Sequence, residues 1–98
     1  MELKQAFVTY DDTVKGPGKK DVDPKNGTDF KLKELYKLLN CDHIEIVETK
    51  FNDIIIVLDE NGKLLGKPKN TIATFMYKYG SSDPIVGAAL ICNRNQIQ

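Results

Sequence analysis

The run Ile54-Ile55-Ile56-Val57-Leu58 constrains this chain more than any other feature. It offers no polar face to water, and four of its five residues are β-branched. Such a run suits the central strand of a sheet covered on both sides. A chain of 98 residues can bury one core but not two. Residues 1–98 are therefore read as one domain built around that strand.

The rest of the sequence supplies the neighbours and the cover. Residues 5–10 alternate as a first strand, with Phe7 and Thr9 on one face and Val8 and Tyr10 on the other. Residues 11–28 carry Gly16-Pro17-Gly18, Lys19-Lys20, Pro24 and Asn26-Gly27 and are read as a long loop, with a brief edge strand at Val22. A helix follows over 30–40, because Leu32, Leu35, Tyr36 and Leu39 make one apolar stripe. Thr28 or Asp29 suits its start, and Asn40 its left-handed end.

Residues 43–48 alternate as a strand with Ile44 and Ile46 toward the core. Asn61-Gly62 is a strong hairpin signal and predicts a short return strand at 63–65. Asn70 caps a second helix with a stripe of Ile72, Phe75, Met76 and Tyr79, ended by Gly80. Residues 85–92 close the chain as a buried strand. The predicted class is α+β: a small mixed, mainly antiparallel sheet with two helices, in the order β-α-β-β-β-α-β.

Composition narrows the function classes. Fourteen Lys and Arg balance fourteen Asp and Glu, which argues against a nucleic-acid binder and against a membrane-surface module. No run of eighteen apolar residues is present, and Met1-Glu2-Leu3-Lys4 does not begin a secretory signal, so a cytoplasmic location is expected. Cys41 and Cys92 match no C-x-x-C or zinc spacing and read as reduced packing residues, a disulfide between them being the alternative. Asn26-Gly27-Thr28 is formally a glycosylation sequon, but a turn is the expected role.

Several motifs together point to a family. The segment Asp23-Pro24-Lys25-Asn26-Gly27-Thr28-Asp29-Phe30-Lys31-Leu32-Lys33-Glu34-Leu35 resembles the P-K-N-G-x-x-F-x-L-x-E-L opening of the domain-of-unknown-function family 3846. Ile44-Glu45-Ile46-Val47, Asp59-Glu60-Asn61-Gly62-Lys63-Leu64 and Asn70-Thr71-Ile72-Ala73-Thr74 resemble its next three motifs. The span from Asp83-Pro84-Ile85-Val86-Gly87 to Cys92 resembles its closing one. The resemblance covers about residues 24–92 in order and spacing, with departures at Lys31 and at Cys41-Asp42-His43. It implies an origin in bacteriophages, prophages or conjugative elements, hence a bacterial host, and it brings no catalytic residues.

The residues themselves offer one candidate site. Lys63, Lys67 and Lys69 precede a helix start at Asn70 and Thr71, with Thr74 one turn on. Ammonium groups beside free helix N–H groups favour an anion. Tyr77 or Tyr79 could stack on a base. The competing reading is a capped helix behind a solvated lysine loop. Cys41-Asp42-His43 is too widely spaced for a thiol–imidazole pair, and no cluster has the spacing of a metal or cofactor site. No enzyme activity, catalytic residue, metal or cofactor is therefore expected.

The leading expectation is a mobile-element accessory protein that sequesters a small anionic nucleotide signal of host antiviral defence, a homo-oligomer being one form it takes. The alternative is an interaction protein that binds and inhibits a host protein.

Overall fold

The computed structural model describes residues 2–12 and 14–97, together with all their side chains except that of Ser81. Thr13, inside the expected loop, and the terminal Met1 and Gln98 lie outside the described residues. The strands are β1 (Phe7–Asp12), β2 (Gly16–Asp21), β3 (Ile44–Glu48), β4 (Ile54–Asp59) and β5 (Ala89–Asn93). The helices are α1 (Leu32–Leu39) and α2 (Thr71–Met76), and short 3-10 turns occupy Gly80–Ser82 and Arg94–Gln96. The five strands form one sheet in the order β2-β1-β5-β4-β3. Every neighbouring pair is antiparallel. The class is α+β, with two helices on a small sheet.

The apolar run behaves as its composition requires. Ile55 and Val57 join Leu35 and Leu39 of α1 in one core layer. Ile54, Ile56 and Leu58 join Ala73, Tyr77 and Ile85 on the opposite face. Alternation within β4 thus feeds both layers. The middle strand of the sheet is β5 rather than β4, and Leu90 and Ile91 repeat the same division between the layers.

The strand inventory differs from the sequence reading at two places. Residues 63–65 form a turn and not a return strand. The reason is topological: β4 already pairs with β3 on one side and β5 on the other, so no edge is left for a third strand. The fifth strand comes instead from the expected loop at 11–28. Asp12 Oδ1 accepts the backbone N–H groups of Val14 (2.7 Å) and Lys15 (3.0 Å), which turns the chain into β2. Pro17 is tolerated because β2 is an edge strand. Gly18 leaves room for the Tyr10 ring, since a Cβ there would stand 2.8 Å from it and the ring would have to move. The order along the chain is therefore β-β-α-β-β-α-β.

Three smaller differences concern faces and caps. Ile46 is 46% exposed, because β3 is the other edge strand and only Ile44 and Val47 pack inward. Neither Thr28 nor Asp29 caps α1; the Glu34 carboxylate accepts the Lys31 N–H at 3.0 Å, while Asn26 ties Thr28 and Asp29 into a tight loop. Helix α2 is six residues long and buries Ala73 and Thr74, so Phe75 and Tyr79 of the expected stripe face outward. Asn40 does end α1 in the left-handed region, with φ at 51°.

Candidate functional site

The loop between β4 and α2 is closed at its base. Lys67 Nζ reaches Asp59 Oδ2 at 2.7 Å, and the carboxylate is buried. Burial works to raise the Asp59 pKa, but the Lys67 ammonium and the Asn61 N–H outweigh it and hold the group below its ordinary value. The stem of Lys67 lies on Gly87, where a Cβ would meet Lys67 Cδ at 2.7 Å. Lys63 is paired with Asp83, and hydrogen bonding between the two lowers the Asp83 pKa and raises that of Lys63.

Asn70 is fully buried. Its Oδ1 accepts the Ala73 N–H at 3.0 Å, the expected cap. Its Nδ2 donates to the carbonyls of Thr9 (2.9 Å) and Gly87 (2.8 Å). The Thr71 N–H and Oγ1 both donate to the Asp11 carboxylate, at 2.8 and 2.6 Å. Thr74 Oγ1 accepts the Ile85 N–H at 2.9 Å and donates to the Ile85 carbonyl at 3.3 Å. The start of α2 therefore already faces an anion, and that anion is a side chain of β1.

The six residues singled out in the sequence separate into three environments. Lys63 lines a cleft of about 150 Å³ whose other ionisable walls are Glu45, Asp59, Glu60, Asp83 and Tyr77, an acidic surrounding. Lys67 and Asn70 hold the structure together. Lys69, Thr71 and Thr74 line a second, shallow cleft of about 310 Å³, completed by Lys50, Phe75 and Gly80. In this cleft Lys50 Nζ stands 5.0 Å from the centroid of the Phe75 ring, and the ring side chain is 76% exposed. Neither Lys50 nor Lys69 has an ion pair among the described residues.

Lys50 is not singled out in the sequence, and Phe75 is assigned there to the apolar stripe of α2 rather than to a site. Lys50 reaches the cleft because its N–H donates to the Met76 carbonyl at 3.0 Å, and Thr49 bridges to Tyr77, contacts between distant segments. The tyrosines expected to stack do not line this cleft. Tyr77 is buried with its hydroxyl toward Asp83 (3.5 Å), and Tyr79 packs edge-on against it at 5.5 Å.

The thiols are poor nucleophiles. Burial raises the pKa of Cys41 and pushes that of Cys92 up to about 12, so neither carries appreciable thiolate near neutrality. Among the described residues no group of three or more His, Cys, Asp or Glu side chains is placed to hold a metal ion. Nor is any described helix long and apolar enough to cross a membrane.

The fold defines a small α+β protein, and its predicted site residues fall between an acidic cleft at Lys63 and a basic one at Lys50 and Lys69. The chain belongs to the domain-of-unknown-function family 3846, whose model matches residues 8–97. No match was found among the curated proteins or among the solved structures.

Proposed function

We propose that this chain is a non-enzymatic binding protein that captures a small anionic ligand bearing a flat ring. One observation carries the reading: Lys50 and Lys69, both without an ion pair among the described residues, line one cleft with the exposed ring of Phe75, and Lys50 Nζ stands 5.0 Å from the ring centroid. Charge-assisted hydrogen bonds from ammonium groups suit phosphate, and an aromatic face suits a base. The Thr71 and Thr74 side chains complete the wall, while Lys63 and Lys67 serve the fold.

A nucleotide combines both features. With the mobile-element origin that the family resemblance implies, the ligand class is a nucleotide signal of host antiviral defence, met in the bacterial cytoplasm. The raised thiol pKa values argue against thiol catalysis at either cysteine.

The test is a thermal-shift and calorimetric panel of cyclic mono- and dinucleotides. A ligand present at a hundredfold its Kd stabilises the fold by about 2.7 kcal/mol. The Lys50→Ala, Lys69→Ala double variant should fold normally and lose that stabilisation. A panel with no hit, or wild-type affinity in the double variant, rejects the cleft as a nucleotide site.

The second reading, a protein that binds and inhibits a host protein, is favoured by one observation. Leu64 and Leu65 are 87% and 66% exposed on the 60–66 turn, whose base is fixed by the Lys67–Asp59 and Lys63–Asp83 pairs. A host protein recovered by the wild type and lost with Leu64→Ser, Leu65→Ser would support this reading in place of the first.

A further inference from the structure

The two edges of the sheet are not equivalent. At β2, Pro17 has no N–H to offer, and Lys19 and Lys20 are exposed charges on the strand. At β3, three of the five residues are β-branched and none is Pro or Lys. The Glu60 N–H donates to the His43 carbonyl at 3.1 Å, so His43, and with it Glu45 and Val47, faces β4 through its backbone. The Glu48 carbonyl faces the other way and accepts the Lys78 N–H at 3.1 Å. By the same alternation, the N–H and C=O groups of Ile44 and Ile46 point away from β4. No backbone hydrogen bond fills them among the described residues.

This edge already accepts a segment of its own chain. Residues 76–78 lie antiparallel on it, with Thr49 opposite Tyr77 and the Lys50 N–H donating to the Met76 carbonyl at 3.0 Å. The pairing stops at Lys78, and the edge at 44–46 is left open.

Charge distinguishes the two faces of the open stretch. Glu45 lines the cleft of about 150 Å³ beside it, with Asp59, Glu60 and Asp83. These four carboxylates meet two ammonium groups: Lys63, which pairs with Asp83, and Lys67, which pairs with Asp59. Glu45 and Glu60 are exposed and have no ion pair among the described residues, although Glu45 lies within the field of Lys63. Two negative charges are therefore in excess. Further along the edge, Glu48 is paired with Arg94, and Lys78 Nζ stands 5.9 Å from the centroid of the Tyr79 ring. On the other face, Ile44 packs into the layer under α1, whereas Ile46, two residues on, is exposed.

We propose that the open edge of β3 takes up an extended basic segment of a partner protein as a sixth strand, antiparallel like every pairing in this sheet. Its backbone bonds the outward N–H and C=O groups of Ile44 and Ile46. Its alternate side chains reach opposite faces: Lys or Arg toward Glu45 and Glu60, apolar groups beside Ile46. An acidic segment would add to the excess negative charge. A second copy paired β3 to β3 would bring its own Glu45 and Glu48 to the same edge. The cleft beside this edge shares no residue with the Lys50 and Lys69 cleft.

The experiment is an amide-resolved NMR titration of the full chain with a blocked hexapeptide of alternating Lys and Val. One control replaces Lys by Glu, and two others carry N-methyl groups on every Val or on every Lys. The Lys-Val peptide should shift amides of residues 44–48 and slow hydrogen exchange at Ile44 and Ile46. In an antiparallel pair the residue hydrogen-bonded to Ile46 lies opposite it and shares its face. N-methylation of Val should therefore abolish binding, and N-methylation of Lys should not. Glu45→Gln, Glu60→Gln should weaken binding about three- to tenfold, as loss of two accessible ion pairs does, without changing the unliganded spectrum beyond the substituted positions. No saturable shift, equal binding of the Glu peptide, tolerance of N-methylated Val or unchanged affinity in the variant overturns the proposal. Sedimentation of the chain alone is the last arm. Self-association that protects Ile44 and Ile46 and excludes the peptide also overturns it, in favour of a second copy.

Discussion

Helix α1 lays Leu35 and Leu39, long side chains one turn apart, on one face of the sheet, whereas α2 meets the other face with Ala73 and Thr74. The first helix is held by apolar area. The second is too short to present a stripe, and side-chain hydrogen bonds from Asn70, Thr74 and Asp11 fix it instead. Polar residues at a helix start can therefore anchor the helix as well as receive a ligand. Their hydrogen-bond partners decide which. At α2 those partners belong to β1 and to the segment before β5.

The comparison breaks first at its apolar side. Leu35→Ala should cost about 3 kcal/mol, since it removes a buried side chain and leaves a cavity. Chemical denaturation measures this directly. A loss well under half that size would mean that α1 is not held by its leucines.

Asn70→Ala should come next, at about 2–3 kcal/mol. It removes a cap, worth about 1 kcal/mol, and takes the donor from two buried carbonyls. Asn70→Asp sharpens the point. A carboxylate could keep the contact to the Ala73 N–H but would set an oxygen against the Thr9 and Gly87 carbonyls. The Asp variant should therefore be no more stable than the Ala variant. Full stability in Asn70→Asp would show the residue to be a cap and nothing more.

Thr74→Val is the milder version, at about 1–2 kcal/mol, because shape is kept while the buried Ile85 N–H loses its acceptor. A neutral result would place the anchoring of α2 on Asn70 alone.

These contrasts also explain what the sequence could disclose. Local pattern is enough for β4 and for most of α1: the unbroken apolar run 54–58 and the spacing of Leu35 and Leu39 state which side chains are buried, whereas Leu32 of the same expected stripe is 51% exposed. Pairing is not local. Gly16-Pro17-Gly18 reads as breakers, yet it becomes a strand because β1 offers it an edge. Residues 63–65 read as a strand, yet β4 has no edge to offer. The site follows the same rule. Lys67, Asn70 and Thr71 announce polar chemistry, but Asp59 and Asp11, which answer Lys67 and Thr71, come from β4 and β1. Lys50 enters the cleft only through pairing of its segment with residues 76–77.

The smallest expected effect lies at the start of α1, where a carboxylate does the work that Asn70 does at α2. Backbone hydrogen bonds from Lys31 and Lys25 hold the Glu34 pKa below its ordinary value. A carboxylate with a lowered native pKa contributes stability above its unfolded pKa, and the contribution is lost as pH falls through the native value. Glu34→Gln keeps one acceptor oxygen and replaces the other by an amide that cannot accept. The variant should therefore be slightly less stable than the wild type at neutral pH. The difference should begin to shrink as pH approaches about 4.3, the usual glutamate value, and should be smallest below the lowered native pKa. Denaturation curves of both proteins across an acid series isolate this one group, because every other carboxylate is common to the two. A difference that stays constant from neutral to acid pH would mean that the charge of Glu34 contributes nothing. Any constant difference would then come from the uncharged hydrogen bonds that the Glu34 side chain accepts from the Lys31 and Lys25 N–H groups.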